Sequence, residues 1–260
     1  MGPPHLRHTR RGLLLAAVGA ATAARAAEAV RIETIQSAPF GMVGPGGASG
    51  LMYEVGNLIA ERAGLQAVNH VVPYARTVVS LREGSADMVL RFSNDELAEV
   101  AIQVARVMPM PTVVLSTAAA RIERLQDLAG ATVAVARSAP LDPRLEAVPG
   151  IRFERVQNNE MLVRMVLAGR VAAAFGSRLG LLGAVRQLQL PGDRFAPPLL
   201  VGSQDFWLHV SRKTATPALL DALRRGLESA QRDGSIERIR RRYEAQLLGD
   251  ADTATTPPLR

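Results

Sequence analysis

The chain has 260 residues, of which 48% are hydrophobic, so it is long enough for one large or two modest domains. It contains no cysteine, which excludes disulfides and thiolate metal centres. The formal charge of +7 falls to +3 when residues 1–26, with four arginines and no acidic side chain, are set aside, and so small an excess does not support nucleic-acid binding.

The first 26 residues have the pattern of an export signal. Residues 9–14, TRRGLL, match a twin-arginine motif, and an Ala/Gly/Leu-rich stretch too short to span a bilayer follows them. An A-x-A cleavage site at 24–26 predicts a mature chain that begins near Ala27. An ordinary secretory signal with two adjacent arginines is the alternative. No cysteine follows the cleavage site to carry a lipid anchor, so we expect a soluble periplasmic protein.

From Val30 onward, the apolar periodicity switches repeatedly between that of strands and that of helices. Strands are predicted at 30–36, 66–72, 86–90, 112–116, 132–136, 151–156, 171–175 and 206–210. Helical segments are predicted at 51–64, 78–84, 125–128, 217–230 and 235–244. This alternation is typical of an α/β fold with a mostly parallel sheet.

The chain is expected to form two lobes. The strand at 112–116 is predicted to cross into the second lobe, and the strand at 206–210 to cross back. Lobe 1 then comprises residues 27–115 and 205–248, and lobe 2 comprises residues 116–204. The tail, 249–260, has no apolar period and is expected to be disordered.

Residues 71–90, VVPYARTVVSLREGSADMVL, are the most informative segment. Pro73 ends an apolar run, and Tyr74 and Arg76 follow at once in a predicted loop. A helix then runs to Gly84, and Asp87 opens the next strand. Because ligands in α/β sheets bind at loops that leave the carboxyl ends of strands, this loop predicts one side of a ligand cleft.

The segment resembles the family 3 extracytoplasmic solute-binding proteins, the periplasmic receptors of polar amino-acid ABC importers, whose first lobe carries a similar P-aromatic-x-R, helix and Gly-x-x-Asp run. Further segments extend the resemblance over 30–243: GLMYEVGNLIAERAG, LQDLAGATVAVARS, MLVRMVLAGRVAAAF and LHVSRKTATPALLDALRRGLESAQRDGSIERIRRRY. The resemblance implies a two-lobed periplasmic binding protein type 2 fold, each lobe a mostly parallel sheet flanked by helices, with the ligand cleft between the lobes. It also implies a small-molecule ligand and an inner-membrane ABC permease as partners, and we expect a monomer.

Arg76 is the leading candidate for ligand binding, because its guanidinium can offer a bidentate fork to a carboxylate. A surface or interlobe ion pair is the alternative role. Phe40 and Tyr74 lie in loops suited to stacking against a ligand. Trp207, within a crossing strand, fits the core equally well.

Further candidates follow the ends of predicted strands. They are Arg91, Ser93, Asn94, Ser138 and Asn158. For Arg91, a salt bridge to Asp95 or Glu96 is an equal alternative. Ser138 could hold an anion at a helix start or could simply cap that helix. Asn158, with the neighbouring Asn159, is a weaker candidate of the same kind.

Motifs for cofactor or metal chemistry are missing from the sequence. The loop GPGGASG at 44–50 places Ser49 where the third glycine of G-x-G-x-x-G belongs, so it is interpreted as a mobile rim loop of the cleft. After the signal, His70 and His209 remain, without metal-ligand spacing, and G-x-S-x-G is absent. We expect no cofactor and no metal.

Two positions depart from the pattern of the family. Its amino-acid binders carry an arginine where this chain has Leu97, and an aspartate after G-R-V where this chain has Ala172. Without both clamp residues, a bound zwitterion would lack partners for its charged groups. Standard amino acids are therefore expected to bind poorly.

The sequence thus predicts a non-enzymatic binding protein that closes around a small polar or anionic solute, amino-acid-like or an organic acid, and presents it to an importer. A periplasmic enzyme similar to cyclohexadienyl dehydratases is one alternative, with Glu54, Asp87 and Glu160 as possible acids. A ligand receptor for a membrane sensor is another.

Overall fold

The computed structural model describes residues 29–137 and 139–248. The predicted signal segment, Ser138 and the tail at 249–260 lie outside these ranges. No helix within the described ranges is long and apolar enough to cross a membrane.

The first part of the chain alternates strands and helices as the periodicity predicts. Its elements are β1 (Ala29–Ile35), β2 (Met42–Gly44), β3 (Gly47–Ser49), α1 (Leu51–Arg62), β4 (Gln66–Val72), α2 (Tyr74–Glu83), β5 (Met88–Arg91), α3 (Asp95–Val100) and β6 (Ala101–Leu115). Gly84, with φ at 76°, ends α2 in the left-handed conformation that a glycine adopts without strain.

The second part repeats the alternation and then returns to the first. Its elements are β7 (Thr132–Ala136), α4 (Pro143–Glu146), β8 (Arg152–Val156), α5 (Asn159–Leu167), β9 (Ala173–Ser177), α6 (Arg178–Gln187), β10 (Leu199–Ser211), α7 (Pro217–Arg232) and α8 (Ser235–Leu248). Short 3₁₀ turns lie at Ala118–Ala120, Leu125–Leu128 and Gly192–Arg194. Thr216 caps α7 through its side chain and Pro217 occupies the first turn, as helix starts prefer.

In the described part of the chain, eight strands form one continuous sheet in the order β4-β1-β5-β10-β6-β9-β7-β8. β4, β1 and β5 are parallel to one another, and so are β8, β7 and β9. β6 and β10 lie antiparallel between these two groups. The expected α/β fold with mostly parallel sheets is therefore confirmed.

Separate hydrophobic cores lie on the two sides of the β6–β10 pair. The largest core packs α1, α7 and α8 against β1 and β5. Two further cores cover the faces of β7 and β9, one beneath α5 and α6 and the other beneath α4. Because β6 and β10 run through both regions, bending of this pair would move one half of the molecule relative to the other.

Two segments expected as loops are regular structure. Tyr74 and Arg76 lie in the first turn of α2, because Pro73 occupies the N-cap and its fixed φ suits a helix start. The glycine-rich segment expected as a mobile rim loop forms the β2–β3 hairpin.

The crossing strands are longer than predicted. β6 spans 15 residues and begins 11 residues before the predicted start at 112. Pro109 and Pro111 have no backbone N–H to donate to a neighbouring strand. The sequence therefore indicates an interruption here and not a continuous strand. Register shifts in the pairing of β10 with β6 accommodate irregularity here.

Tyr243 joins α8 to the start of α1. Its hydroxyl accepts a hydrogen bond from the Gly50 backbone N–H (3.0 Å) and donates one to Glu54 Oε1 (2.6 Å). Burial, followed by the bond to Glu54, raises the pKa of Tyr243 to about 12, so it remains a donor at neutral pH.

Tyr243→Phe is expected to lower the free energy of unfolding by about 1–3 kcal/mol, because it leaves the buried Gly50 N–H without a partner. Chemical denaturation of both forms measures this. Tyr53→Phe, in α1, is the matched control and should leave stability within about 0.5 kcal/mol of wild type. Equal stability of the Tyr243 variant would show that the α8–α1 link contributes nothing.

Candidate functional site

A cavity of about 120 Å³ lies between the two halves of the molecule, at the carboxyl ends of β1, β5, β7 and β9. We call it the inner cavity. Its apolar wall is formed by Ile35, Phe40, Met52, Leu90, Phe92 and Phe206. Its polar wall is formed by Gln36, Ser37, Gln157, Asn158, Asn159 and Ser177, with Ala136, Ala139 and Gly176 completing the floor. Tyr74 and Arg91 close the remaining side.

Three phenylalanines of the apolar wall pack against one another. The ring of Phe206 lies 5.3 Å from that of Phe40 and 4.2 Å from that of Phe92, centroid to centroid. Tilted arrangements of neighbouring rings are favourable for aromatic pairs. The inner cavity therefore presents a preformed apolar surface to whatever enters it.

Arg91 is the buried charge of the site. It is the last residue of β5, its side chain lines the inner cavity, and the residue is only 2% exposed. The guanidinium lies 4.0 Å from the centroid of the Tyr74 ring, and Nη1 donates to Thr77 Oγ1 at 3.2 Å. Nε is buried and finds no hydrogen-bond acceptor among the described residues.

No carboxylate in the described chain forms an ion pair with Arg91. Asp95 and Glu96 lie exposed in the first turn of α3, and the charge of Glu96 reaches Arg91 only at long range. Burial lowers the pKa of Arg91 to about 10, which still leaves the group charged at neutral pH. A buried guanidinium without a counter-charge is costly for the free protein, and an anionic ligand would relieve that cost.

A polar network lies behind Arg91. Ser93 Oγ donates to Gln103 Oε1 at 2.8 Å and lies 3.0 Å from His209 Nε2. Burial, followed by the positive charge of Arg91, lowers the pKa of His209 to about 4. His209 is therefore neutral at neutral pH and adds no second charge beside Arg91.

Three residues of the polar wall, Asn158, Asn159 and Ser177, lie at helix starts. Ser177 caps α6 by accepting from the Gly180 N–H at 3.2 Å, and Asn158 caps α5 by accepting from the Met161 N–H at 2.9 Å. Asn159 Nδ2 donates to Ser37 Oγ across the cavity at 3.3 Å. This bond joins the two halves directly, so the lobes are in contact at the inner cavity.

A wider groove opens outward from the inner cavity, and we call it the outer cleft. Charged residues lining it are Asp95, Glu96, Arg137 and Glu160. Asn94 also lines it and donates from Nδ2 to the Tyr74 hydroxyl at 3.0 Å. The outer cleft thus carries both signs of charge, unlike the inner cavity.

The structure brings together some of the residues singled out from the sequence and separates others. Phe40, Tyr74, Arg91 and Asn158 line the inner cavity, and Asn94 lines the outer cleft. Ser93 lies behind Arg91, while Ser138 is outside the described residues. Arg76 is exposed on α2 and lines neither space; its charge acts on Glu33, whose pKa is raised by burial.

Sequence reasoning missed most of the apolar wall. Phe206 lines the cavity, whereas its neighbour Trp207 does not, since successive side chains of a strand point to opposite faces. Phe92, next to Arg91, was missed for the same reason: the side chains in this region were not assigned to one face of the sheet or the other. Alternation along β10, counted from the buried Leu208, could have identified Phe206.

Ala172 lines neither the inner cavity nor the outer cleft, so the expectation that this position would hold an amino-acid ligand was wrong. Ala172 precedes β9 at the end of the strand opposite the cavity, and Ser177, at the carboxyl end, is the residue that lines the site. Leu97 is a fully buried residue of α3. The absence of an acid from the inner cavity rests instead on its described lining, which contains neither aspartate nor glutamate.

The three acids considered for catalysis have separate environments. Asp87 accepts from the Arg31 side chain at 2.6 Å and from its backbone N–H at 2.8 Å; burial opposes its ionisation, but these bonds outweigh burial and lower its pKa. Glu54 is held by Tyr243 and Arg242. Glu160 lines the outer cleft. The structure does not pair these acids with one another.

Comparisons with known proteins agree on one family. The sequence model of one protein family, the bacterial extracellular solute-binding proteins, family 3, matches residues 30–246. None of the curated proteins matches the sequence significantly.

Solved structures match over most of their length. An ancestral arginine-binding protein bound to arginine is 18% identical, with 83% of this chain and 97% of that chain covered and a TM-score of 0.67. The solute receptor for L-cysteine of Neisseria gonorrhoeae is 18% identical, with coverage of 88% and 94% and a TM-score of 0.70. The VFT2 domain of Bordetella pertussis BvgS is 20% identical, with coverage of 83% and 93% and a TM-score of 0.71. At these identities the matches show the shared fold alone.

Protein stability is expected to fall as the pH is lowered from about 6.5 to 4, by up to about 3 kcal/mol from His209 alone. Between these pH values His209 takes up a proton in the unfolded state. In the folded state, where its pKa is about 4, it stays neutral. Above pH 6.5 the histidine is neutral in both states and contributes no pH dependence. Denaturation at a series of pH values measures the effect.

His209→Gln should reduce the change in the free energy of unfolding between pH 6.5 and 4. Replacement of the exposed His70 by Gln should leave that change as it is in wild type. Parallel losses of stability in wild type and His209→Gln would refute a neutral buried His209.

Proposed function

The chain belongs to the bacterial extracellular solute-binding proteins, family 3, and from this premise we propose that it captures a small polar or anionic solute between its lobes and delivers it to an inner-membrane ABC importer. The family and the similar structures are binding proteins, and no catalytic step is required. We propose that the protein acts as a monomer without a cofactor.

The observation that carries this proposal is an inner cavity lined from both halves of the sheet. Ser37 and Phe40 come from the loop after β1, while Asn159 and Ser177 come from the starts of α5 and α6. A solute that contacts both walls stabilises the closed arrangement over an open one, so its binding energy drives closure.

The proposed lobes are residues 27–115 with 205–248, and residues 116–204. The separate cores support this division. The core around α1 and α7 draws mainly on the first set, and the two cores around β7 and β9 draw on the second set together with Val113, Val114 and Leu115 at the boundary. Leu179 of α6 is an exception that packs against the first lobe and adds to the interlobe contact.

We further propose that residues 1–26 direct export to the periplasm by the twin-arginine route and are then removed. Replacing Arg10 and Arg11 together by Lys is expected to block export, because the adjacent arginines are the recognised feature of such a signal. Cell fractionation and N-terminal sequencing of the exported form measure both claims. Export of the double variant at the wild-type level would instead indicate the general secretory route.

A receptor for a membrane sensor is the second candidate, because one similar structure is a histidine kinase sensor domain, 18% identical with a TM-score of 0.69. That match again shows the fold alone. Deletion of the protein separates the two roles once a solute is known: loss of its uptake supports delivery, and intact uptake with a lost transcriptional response supports sensing.

Solute binding is expected to shorten the distance between the lobes. The chain has no native cysteine, so spin labels on Val43→Cys and Met161→Cys would report one unambiguous interlobe distance. Both residues are exposed, Val43 on the outer cleft and Met161 in the first turn of α5. Solutes from a thermal-shift screen of amino acids, polyamines, organic acids and sugars are then added. At about 100 times its Kd, the cognate solute should also stabilise the protein by about 2.7 kcal/mol.

Labels on Val43→Cys and Glu61→Cys, both in lobe 1, provide the control and should report no change. Gly183→Ala provides a second test, because a Cβ there would lie 2.7 Å from the Ala38 carbonyl of the other lobe and oppose closure. Gly56→Ala, within α1, meets only ordinary contacts and should close normally. An interlobe distance that no stabilising solute changes would contradict the proposal.

A further inference from the structure

Resting on the proposed function, we propose that the solute is a small monocarboxylic acid with an apolar body and no ammonium group, and that its carboxylate is bound by Arg91. The apolar wall would hold the body of the acid. This ligand class excludes amino acids, and the charged end of the ligand would lie at one identified side chain.

Charge balance in the inner cavity is the first argument. Arg91 is the one charged side chain among the described residues that line it. Its Nε is buried without an acceptor, and an acid partner is missing from the described lining. A single carboxylate supplies both the acceptor and the opposite charge.

The position of an α-ammonium is the second argument. In an amino acid the ammonium sits on the carbon next to the carboxylate, so a carboxylate on Arg91 brings the ammonium into the inner cavity too. The acids Asp95, Glu96 and Glu160 line the outer cleft and not this cavity. A buried ammonium without a counter-charge, close to a guanidinium, is strongly disfavoured.

The apolar wall determines which chemical groups the body of the ligand can carry. Phe206 and its two ring neighbours, with Met52 and Leu90, offer neither donors nor acceptors from their side chains. A polar group packed against this wall would lose its hydrogen bonds to water without replacement. A cavity of about 120 Å³ is near the size that holds a benzene ring, about 150 Å³. The body is therefore a branched alkyl group or a single ring.

The surroundings of Arg91 fit a binding role better than a structural one. Thr77 donates its own hydroxyl to the Tyr74 carbonyl at 2.8 Å, so it keeps a partner when Arg91 is removed. Replacement of an unpaired buried charge by an apolar side chain of similar length removes the cost of keeping that charge out of water. Arg91 thus opposes folding of the free protein and favours binding of an anion.

Calorimetric titration with two matched sets of probes tests the proposal. One set is 4-methylpentanoate, its amide and L-leucine; the other is 3-phenylpropanoate, its amide and L-phenylalanine. Within each set the amide lacks the negative charge, and the amino acid adds the ammonium. In at least one set the acid should bind at least about tenfold more tightly than both relatives.

Two Arg91 variants complete the test. Arg91→Met should fold with an unchanged or raised Tm and bind the acid and the amide about equally, which is a loss of at least about tenfold for the acid. Arg91→Lys should recover little of the acid's affinity, because an ammonium lacks the planar fork. If Arg91→Met does not fold, Arg91→Lys provides the measurement of the acid's affinity in its place. Arg76→Met, on the exposed face of α2, is the matched control and should bind the acid as wild type does.

Each contrary result has a distinct meaning. Equal or tighter binding of an amino acid or an amide overturns the ligand class, and unchanged affinity in the foldable Arg91 variant removes Arg91 from the site. If all six probes fail while another solute closes the lobes, this inference is wrong and the proposed function stands. If the spin-label distance responds to no solute at all, the proposed function itself fails.

Discussion

Burial of the Arg91 guanidinium without a carboxylate partner is the constraint on which the rest of the site depends. A charge in this position requires compensation from its surroundings, which the face of Tyr74 and the hydroxyl of Thr77 provide in part. Both residues lie in the first turn of α2, which begins where it does because Pro73 cannot continue β4. The start of α2 thus places the aromatic face that makes a buried cation tolerable.

The same constraint explains how other charges are distributed. His209, behind Arg91, is held neutral by burial and by the guanidinium, and the acids nearest in sequence are engaged elsewhere or face solvent. Asp87, four residues before Arg91, is paired with Arg31 at the opposite end of β5. The inner cavity therefore keeps a single positive charge. The long β6–β10 pair brings the neutral polar residues of the second lobe, Gln157, Asn158, Asn159 and Ser177, to face it.

Much of the fold could be predicted from the sequence because the periodic signals are local. The strands at 66–72 and 132–136 have the predicted bounds, and Gly84 ends α2 as expected. β6 was recognised only in its last residues, because Pro109 and Pro111 locally contradict a strand that tertiary pairing nonetheless maintains. The site was harder to predict. Arg76 and Arg91 both follow strand ends, and the sequence alone favours Arg76. Packing of α2 against β5 buries Arg91 and leaves Arg76 in solvent, and that packing has no local signature.

A crystal structure of the protein saturated with 3-phenylpropanoate or 4-methylpentanoate, whichever binds more tightly, tests the central claim most directly. We expect a carboxylate oxygen within about 2.7–2.9 Å of the Arg91 guanidinium. The apolar body should contact the ring of Phe206. A carboxylate held instead at the starts of α5 and α6, or at Arg76, with Arg91 still lacking an anionic partner, would contradict the account.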